Sequence, residues 1–151
     1  MNKLIETIDL TKIYGEKETS VTALSSINTG FNENQFTAIM GPSGSGKSTL
    51  LHCLAGLDKV TSGSILINGV DLASLNDKEL TKMRRDSFGF VFQAFNLIPT
   101  LTAEENITLP SSIAGKKPEE EWVKQVIETM DIGDRLKHRP NELSGGQQQR
   151  V

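Results

Sequence analysis

The alternation of apolar and polar residues predicts a strand-rich first part, residues 1–92, and a mainly helical second part, residues 93–151. Alternating positions and short apolar runs are typical of strands, whereas apolar residues three and four positions apart are typical of helices. Strands are expected at 4–10, within 19–31 (one strand or two), and at 36–40, 63–70 and 88–92. Helices are expected at 48–55, 76–85, 102–109 and 118–130.

Residues that favour turns and helix ends refine the elements predicted for the first part. The apolar run at 36–40 fits a strand buried in a parallel sheet. Gly56 follows the first helical pattern and predicts its end. Asn68 and Gly69 predict a tight turn after an apolar run. Together these signals favour an α/β fold in the first part.

Helix signals define the second part. Thr102 and Glu105 have the spacing of a capping box, and Pro110 is expected to stop the helix that they begin. Pro118 lies near the start of the last predicted helix. One face of that helix carries the apolar side chains Trp122, Val126 and Met130.

Composition narrows the class of protein. The chain has 151 residues, 36% of them hydrophobic, which is enough for a globular core. A membrane-spanning helix needs about 20 mainly apolar residues, and no such run occurs in the sequence. The net charge of −3 and the lack of a dense Lys/Arg run argue against nucleic acid as a partner. A single cysteine, Cys53, excludes an internal disulfide and fits a reducing cytoplasm, with Cys53 expected to be a small buried side chain.

Residues 41–48 match G-x-x-x-x-G-K-[ST] between an apolar run and a helical pattern, the context in which that motif binds phosphate. Glycines let backbone N–H groups approach phosphate oxygens, and a helix N-terminus adds unpaired donors. Lys47 is expected at the β- and γ-phosphates, Ser48 on Mg²⁺ and Thr49 at the α-phosphate. The remaining residues of this phosphate cradle are Gly41, Ser43, Gly44, Ser45 and Gly46.

A second motif occupies 143–151, near the end of the sequence. Ser144 can cap a helix that starts with two glycines, and such a helix end suits an anion. Taken alone, the Ser-Gly-Gly run favours the interpretation as an ordinary flexible turn. The residues of the motif are Leu143, Ser144, Gly145, Gly146 and Gln147, followed by a polar run to Val151.

Together the two motifs resemble those of the ATP-binding cassette (ABC) transporter ATPases, and the resemblance covers the whole chain. Tyr14 lies where that family has an aromatic residue that stacks on adenine, and Gln93 matches the glutamine of its Q-loop. There the amide contacts Mg²⁺ or the attacking water. The resemblance implies a P-loop NTPase core at 1–92 with an antiparallel β-subdomain. It places the Q-loop and the start of a helical subdomain, up to the signature helix, at 93–151.

The resemblance also implies partners. Two cassettes would pair head to tail as a homodimer, so that the signature residues 143–147 act on the partner's ATP. Residues 94–109, with the segment 95–99, would contact a transmembrane permease and hold the protein at the cytoplasmic face of the cell membrane. Residues 92–102 and the motif at 143–151 look most like the group of macrolide exporters, lipoprotein-releasing systems and peptide-antibiotic resistance transporters.

The sequence stops just after the signature motif, so the family's Walker B aspartate, catalytic glutamate and switch histidine have no counterpart in it. Asp131 and Asp134 follow a helical pattern and do not fit the Walker B position, and His138 precedes the signature. The chain is therefore expected to be the N-terminal part of a cassette, truncated and inactive as an ATPase by itself. A non-catalytic fragment that binds nucleotide or a partner is the alternative, and a soluble ABC ATPase of DNA repair or translation fits less well.

Overall fold

The computed structural model describes residues 3–92 and 94–151. The chain divides into two compact units, Met1–Phe88 and Gly89–Val151. Gln93 and the first two residues lie outside the described residues.

The first unit contains a four-stranded antiparallel sheet with the order β2-β1-β3-β4. The predictions at 4–10 and 19–31 are confirmed as two long strands that pair along most of their length, and the strand and turn predicted at 63–70 are confirmed. Asn68 and Gly69 have φ angles of 49° and 78° and join β3 to β4, as a tight hairpin turn requires. The strands are β1 (Lys3–Tyr14), β2 (Val21–Asn32), β3 (Ser62–Ile67) and β4 (Val70–Asp71).

The core of the first unit lies between this sheet and helix α1 (Lys47–Leu54). Leu10 and Cys53 are completely buried, so Cys53 is the buried side chain that the sequence predicted. Apolar side chains from one face of the sheet and one side of the helix exclude water together, which favours this packing. The buried cluster consists of Leu10, Leu24, Cys53, Leu54, Ile65 and Ile67.

Both predicted helices of the first unit are present. Helix α1 is followed by Ala55 and by Gly56, which has a φ angle of 64° and ends the helix as predicted. Helix α2 (Asp77–Ser87) begins with a capping box between Asn76 and Glu79. An N–H of Arg84 in α2 donates to the carbonyl of Gly56 at 2.8 Å, which ties the end of α1 to α2.

Two predicted strands are wrong. Residues 36–40 and 88–92 form no strand, and the side chains of Phe36, Met40 and Val91 are 97%, 87% and 103% exposed. An apolar run becomes a strand only when a neighbouring strand satisfies its N–H and C=O groups. Among the described residues no strand pairs with either segment.

The second unit is helical, with α3 (Ala103–Ile113), α4 (Glu120–Met130) and α5 (Gly145–Arg150). The capping box of Thr102 and Glu105 is confirmed. The predicted stop at Pro110 is wrong, because α3 continues to Ile113 and the N–H of Ala114 donates to the Pro110 carbonyl at 3.0 Å. Proline removes one N–H donor but keeps its carbonyl, so one more turn can follow it.

Helix α4 confirms the last helical prediction, although it begins two residues after Pro118. Its apolar face is poorly covered within the described structure, with Trp122 59% and Met130 42% exposed. The buried residues of this unit include Ala103, Ile132 and Leu143. None of the helices in the described parts of the chain is long and apolar enough to cross a membrane.

Candidate functional site

The glycine-rich loop leads directly into α1. Gly46 is the residue before the helix and has φ 85° and ψ 5°, a left-handed conformation that side chains disfavour. A Cβ atom at Gly46 would lie 2.4 Å from the carbonyl oxygen of Ala23 in β2. The loop therefore lies directly against the sheet, which only glycine permits at this position.

The first turn of α1 presents unused donors. The first helical bond runs from the N–H of Leu50 to the carbonyl of Gly46 at 2.8 Å. Among the described residues no side chain caps this end of the helix. The N–H groups of Lys47, Ser48 and Thr49 therefore face the N-terminal end with no partner inside the helix, an arrangement that favours an anion.

Lys47 lies over the loop. Its Nζ donates to the carbonyl of Pro42 at 2.6 Å and to the Oγ of Ser45 at 3.3 Å. These acceptors are neutral, and a charged phosphate oxygen is a stronger acceptor for an ammonium group. Lys47 is thus close enough to the loop to bind an anion held there.

Tyr14, at the end of β1, reaches the same helix. Its hydroxyl donates to a carboxylate oxygen of Asp58, which follows α1, and the side chain of Thr49 in the first turn of α1 lies near enough to oppose the rise in the pKa of Tyr14. The side chain of Tyr14 remains 41% exposed. The structure therefore brings the predicted aromatic residue to the helix that follows the predicted cradle.

Two further residues, Lys12 and Asp58, were not predicted from the sequence. The Nζ of Lys12 donates to Asp58 Oδ1 at 2.6 Å and to the carbonyl of Lys59 at 2.7 Å, and it lies 4.6 Å from the centre of the Tyr14 ring. The spacing of Lys12 and Tyr14 along a strand was a usable signal, since residues two apart share a face. Asp58 follows α1, and no local sequence pattern indicated its contact with Lys12 and Tyr14.

These contacts change the ionisation of the three groups. The hydrogen bond to the Asp58 carboxylate raises the pKa of Tyr14, because it stabilises the protonated phenol. The bonds from Lys12 and Tyr14 lower the pKa of Asp58, and the bond to Asp58 raises the pKa of Lys12. At neutral pH, Asp58 and Lys12 therefore form an ion pair beside a neutral Tyr14.

The signature residues lie in the second unit. Ser144 forms a capping box with Gln147, in which Ser144 Oγ accepts from the Gln147 N–H at 3.3 Å and Gln147 Oε1 accepts from the Ser144 N–H at 2.8 Å. Leu143 is buried, whereas an added Cβ atom at Gly145 or Gly146 would meet nothing within 4 Å. The predicted cap at Ser144 is confirmed, and the glycines face open space.

Gln93 lies outside the described residues, so its predicted role stays a prediction. In the segment that follows, Phe95 and Ile98 are each 40% exposed. The side chain of Asn106 holds this segment, because its Oδ1 accepts from the N–H of Ile98 at 2.7 Å and its Nδ2 donates to the carbonyl of Thr102 at 2.9 Å. Asn106 is, after Lys12 and Asp58, a third residue whose role local sequence patterns did not reveal.

The residues around α1 suit a phosphate ester attached to a planar ring. Helix N–H groups and Lys47 offer positive charge, and Tyr14 offers an aromatic surface. Within the described residues no group of three His, Cys, Asp or Glu side chains is placed to hold a metal by itself. A Mg²⁺ ion would be held by the exposed Ser48 hydroxyl together with phosphate oxygens, as in other proteins with this loop.

Comparisons with known proteins agree with this geometry. A family model described as ABC transporter matches residues 24–151. An ABC transporter ATP-binding protein of Thermotoga maritima is 48% identical over all of this chain, which spans 65% of that protein. The lipoprotein-releasing system ATP-binding protein LolD of Geobacter metallireducens is 45% identical, with 68% of its length covered. The macrolide export ATP-binding/permease protein MacB of Marinobacter nauticus is 47% identical, with 23% covered.

Two solved structures are also similar to this chain. The dimeric structure of MJ0796, a bacterial ABC transporter cassette, matches 97% of this chain with a TM-score of 0.85 and 46% identity, and the chain spans 66% of it. A dimeric MJ0796 structure in a post-hydrolysis state bound to ADP and Pi matches with a TM-score of 0.84. These similarities confirm the predicted P-loop NTPase fold class. The chain belongs to the ABC transporter family.

Proposed function

We propose that this chain binds Mg-ATP and is the nucleotide-binding part of the ATP-binding subunit of an ABC transporter. The observation that carries the proposal is the meeting of three elements in one unit: the glycine loop against Ala23 of β2, the uncapped N-terminus of α1, and Tyr14, which pairs with Val21 of the same strand β2. The loop residues 41–46 and the N–H groups of α1 would hold the phosphates. Lys47 would neutralise the β- and γ-phosphates, Ser48 and Gln93 would contact Mg²⁺, and Tyr14 would stack on the base.

The proposed partners follow from the relatives. The ABC cassette MJ0796 forms a dimer in its solved structure. The relatives named above include an ATP-binding/permease protein and the ATP-binding protein of a lipoprotein-releasing system. We therefore propose a homodimer in which residues 143–147 act on the partner's ATP. Residues 94–109 would contact a permease that holds the subunit at the inner face of the membrane.

Calorimetry of Mg-ATP binding tests the proposal. We expect Lys47→Ala to weaken binding about tenfold or more, since a hydrogen bond to a charged group contributes roughly 1.5–3 kcal/mol. Lys82→Ala is the matched control, because Lys82 is an exposed lysine of α2 and is not part of the loop. Equal binding by the wild type and the Lys47→Ala variant would contradict the proposal.

Hydrolysis is expected to be negligible in the 151-residue chain. The proposed site offers Lys47, Ser48 and Gln93. Among the described residues, the carboxylate found beside Tyr14 is Asp58, which is held by Lys12 and Tyr14 and is not free to act as a general base. General acid–base catalysis is worth about 10²–10⁴-fold in rate. Phosphate release from ATP by the purified chain measures this directly. Steady release that Lys47→Ala abolishes would show that the site is complete and would contradict this expectation.

A further inference from the structure

We propose that Asp58 and Lys12 position Tyr14 as a one-sided platform for the nucleotide base, so that the base stacks only on the ring face opposite Lys12. This inference rests on the proposed function and assigns a role to two residues outside the glycine-rich loop. Asp58 and Lys12 act through Tyr14 and are positioning residues.

The hydrogen bonds fix the direction of the ring. The Tyr14 hydroxyl donates to one carboxylate oxygen of Asp58, and Lys12 Nζ donates to the other oxygen at 2.6 Å. Asp58 follows α1, whereas Lys12 and Tyr14 belong to β1, so the carboxylate joins the strand to the helix that carries the cradle. A tyrosine bound at its hydroxyl end can no longer swing freely about its side-chain bonds.

Lys12 closes one face of the ring. Its Nζ lies 4.6 Å from the ring centre, a distance at which a cation and an aromatic face attract each other. The side chain of Lys12 is itself only 11% exposed, because Asp58 and the carbonyl of Lys59 hold its ammonium group. Tyr14 nevertheless remains 41% exposed, which leaves surface for a planar ligand.

Positioning of the Tyr14 ring increases the affinity for the base and leaves the affinity for the phosphate chain unchanged. A ring that is already held loses little conformational freedom when a base stacks on it, which increases affinity. Inorganic tripolyphosphate carries the same phosphate chain without a base, so its binding is independent of the ring. A substitution that weakens the binding of ATP but not of tripolyphosphate has therefore removed an interaction with the nucleoside and not with the phosphate chain.

The test compares Mg-ATP and Mg-tripolyphosphate binding by calorimetry in the wild type, Asp58→Asn and Lys12→Met. We expect each variant to bind ATP about three- to tenfold more weakly and tripolyphosphate unchanged. Asp134→Asn, on an exposed aspartate of the second unit, is the control for the change of charge. If the binding of both ligands is weakened equally, or if the binding of neither is weakened, the proposal is wrong.

A second readout reports on the ring itself. The chain has one tyrosine, so the phenolate absorbance on titration belongs to Tyr14 alone. The pKa of Tyr14 is raised by its bond to Asp58, and Asp58→Asn should lower it towards the ordinary value of about 10. An unchanged titration in a folded Asp58→Asn variant would also overturn the inference.

The two proposals fail in different ways. If the wild type binds tripolyphosphate through Lys47 and binds ATP no more tightly, the phosphate site stands and the platform is wrong. If the wild type binds neither ligand, both proposals are wrong. Lys12→Met keeps a side chain of similar length and provides a folded variant if Asp58→Asn loses its cooperative unfolding transition.

Discussion

Gly46→Ala is expected to lower the free energy of unfolding by about 2–6 kcal/mol. The fold holds residue 46 in a left-handed conformation at φ 85°, in which an alanine is strained, and the added methyl group would lie 2.4 Å from the carbonyl oxygen of Ala23. The atom in closest contact belongs to the backbone of Ala23, so the movement of a flexible side chain cannot relieve the clash. Either the start of α1 or strand β2 must shift, so Mg-ATP binding is expected to fall together with stability.

Gly44→Ala is the matched control for that variant. Gly44 also has a positive φ angle, 79°, but an added Cβ atom there would meet nothing within 4 Å. Gly44→Ala therefore carries the conformational strain without the clash, and its loss of stability should be clearly the smaller. Urea unfolding followed by circular dichroism measures both variants. Equal losses would show that the contact between the loop and β2 is unimportant.

Leu10→Ala is expected to destabilise the chain by about 2–5 kcal/mol, the range for removing most of a buried leucine. Leu10 is completely buried and lies in the cluster shared by the sheet and α1. Its side chain comes from β1, the strand that pairs with both β2 and β3. The cavity left by the substitution would remove contacts on several elements at once.

Val21→Ala is the control for the core. Val21 is 62% exposed at the start of β2, and its truncation should change stability by no more than about 0.5 kcal/mol. The same urea unfolding experiment compares the two variants. A Leu10→Ala loss as small as that of Val21→Ala would mean that the core can collapse around the missing side chain.

Local elements of the fold were predictable because their causes are local. The capping box at Thr102, the turn at Asn68 and Gly69, and the end of α1 at Gly56 each depend on a few neighbouring residues. The segments at 36–40 and 88–92 were mispredicted for the opposite reason. An apolar run has a high strand propensity, but strand formation depends on a hydrogen-bonded neighbour that no local pattern specifies.

The candidate site also combines residues that were predictable from the sequence with residues that were not. The sequence alone determined the family and predicted the phosphate cradle, because the loop 41–46, Lys47 and Ser48 are contiguous and their expected chemistry follows from residue type and spacing. Only the tertiary structure joined Lys12 and Tyr14 to Asp58, more than 40 positions away, and joined Asn106 to the segment before α3. Such contacts depend on how strands and helices pack, and that packing is set by the whole core rather than by any local run of residues.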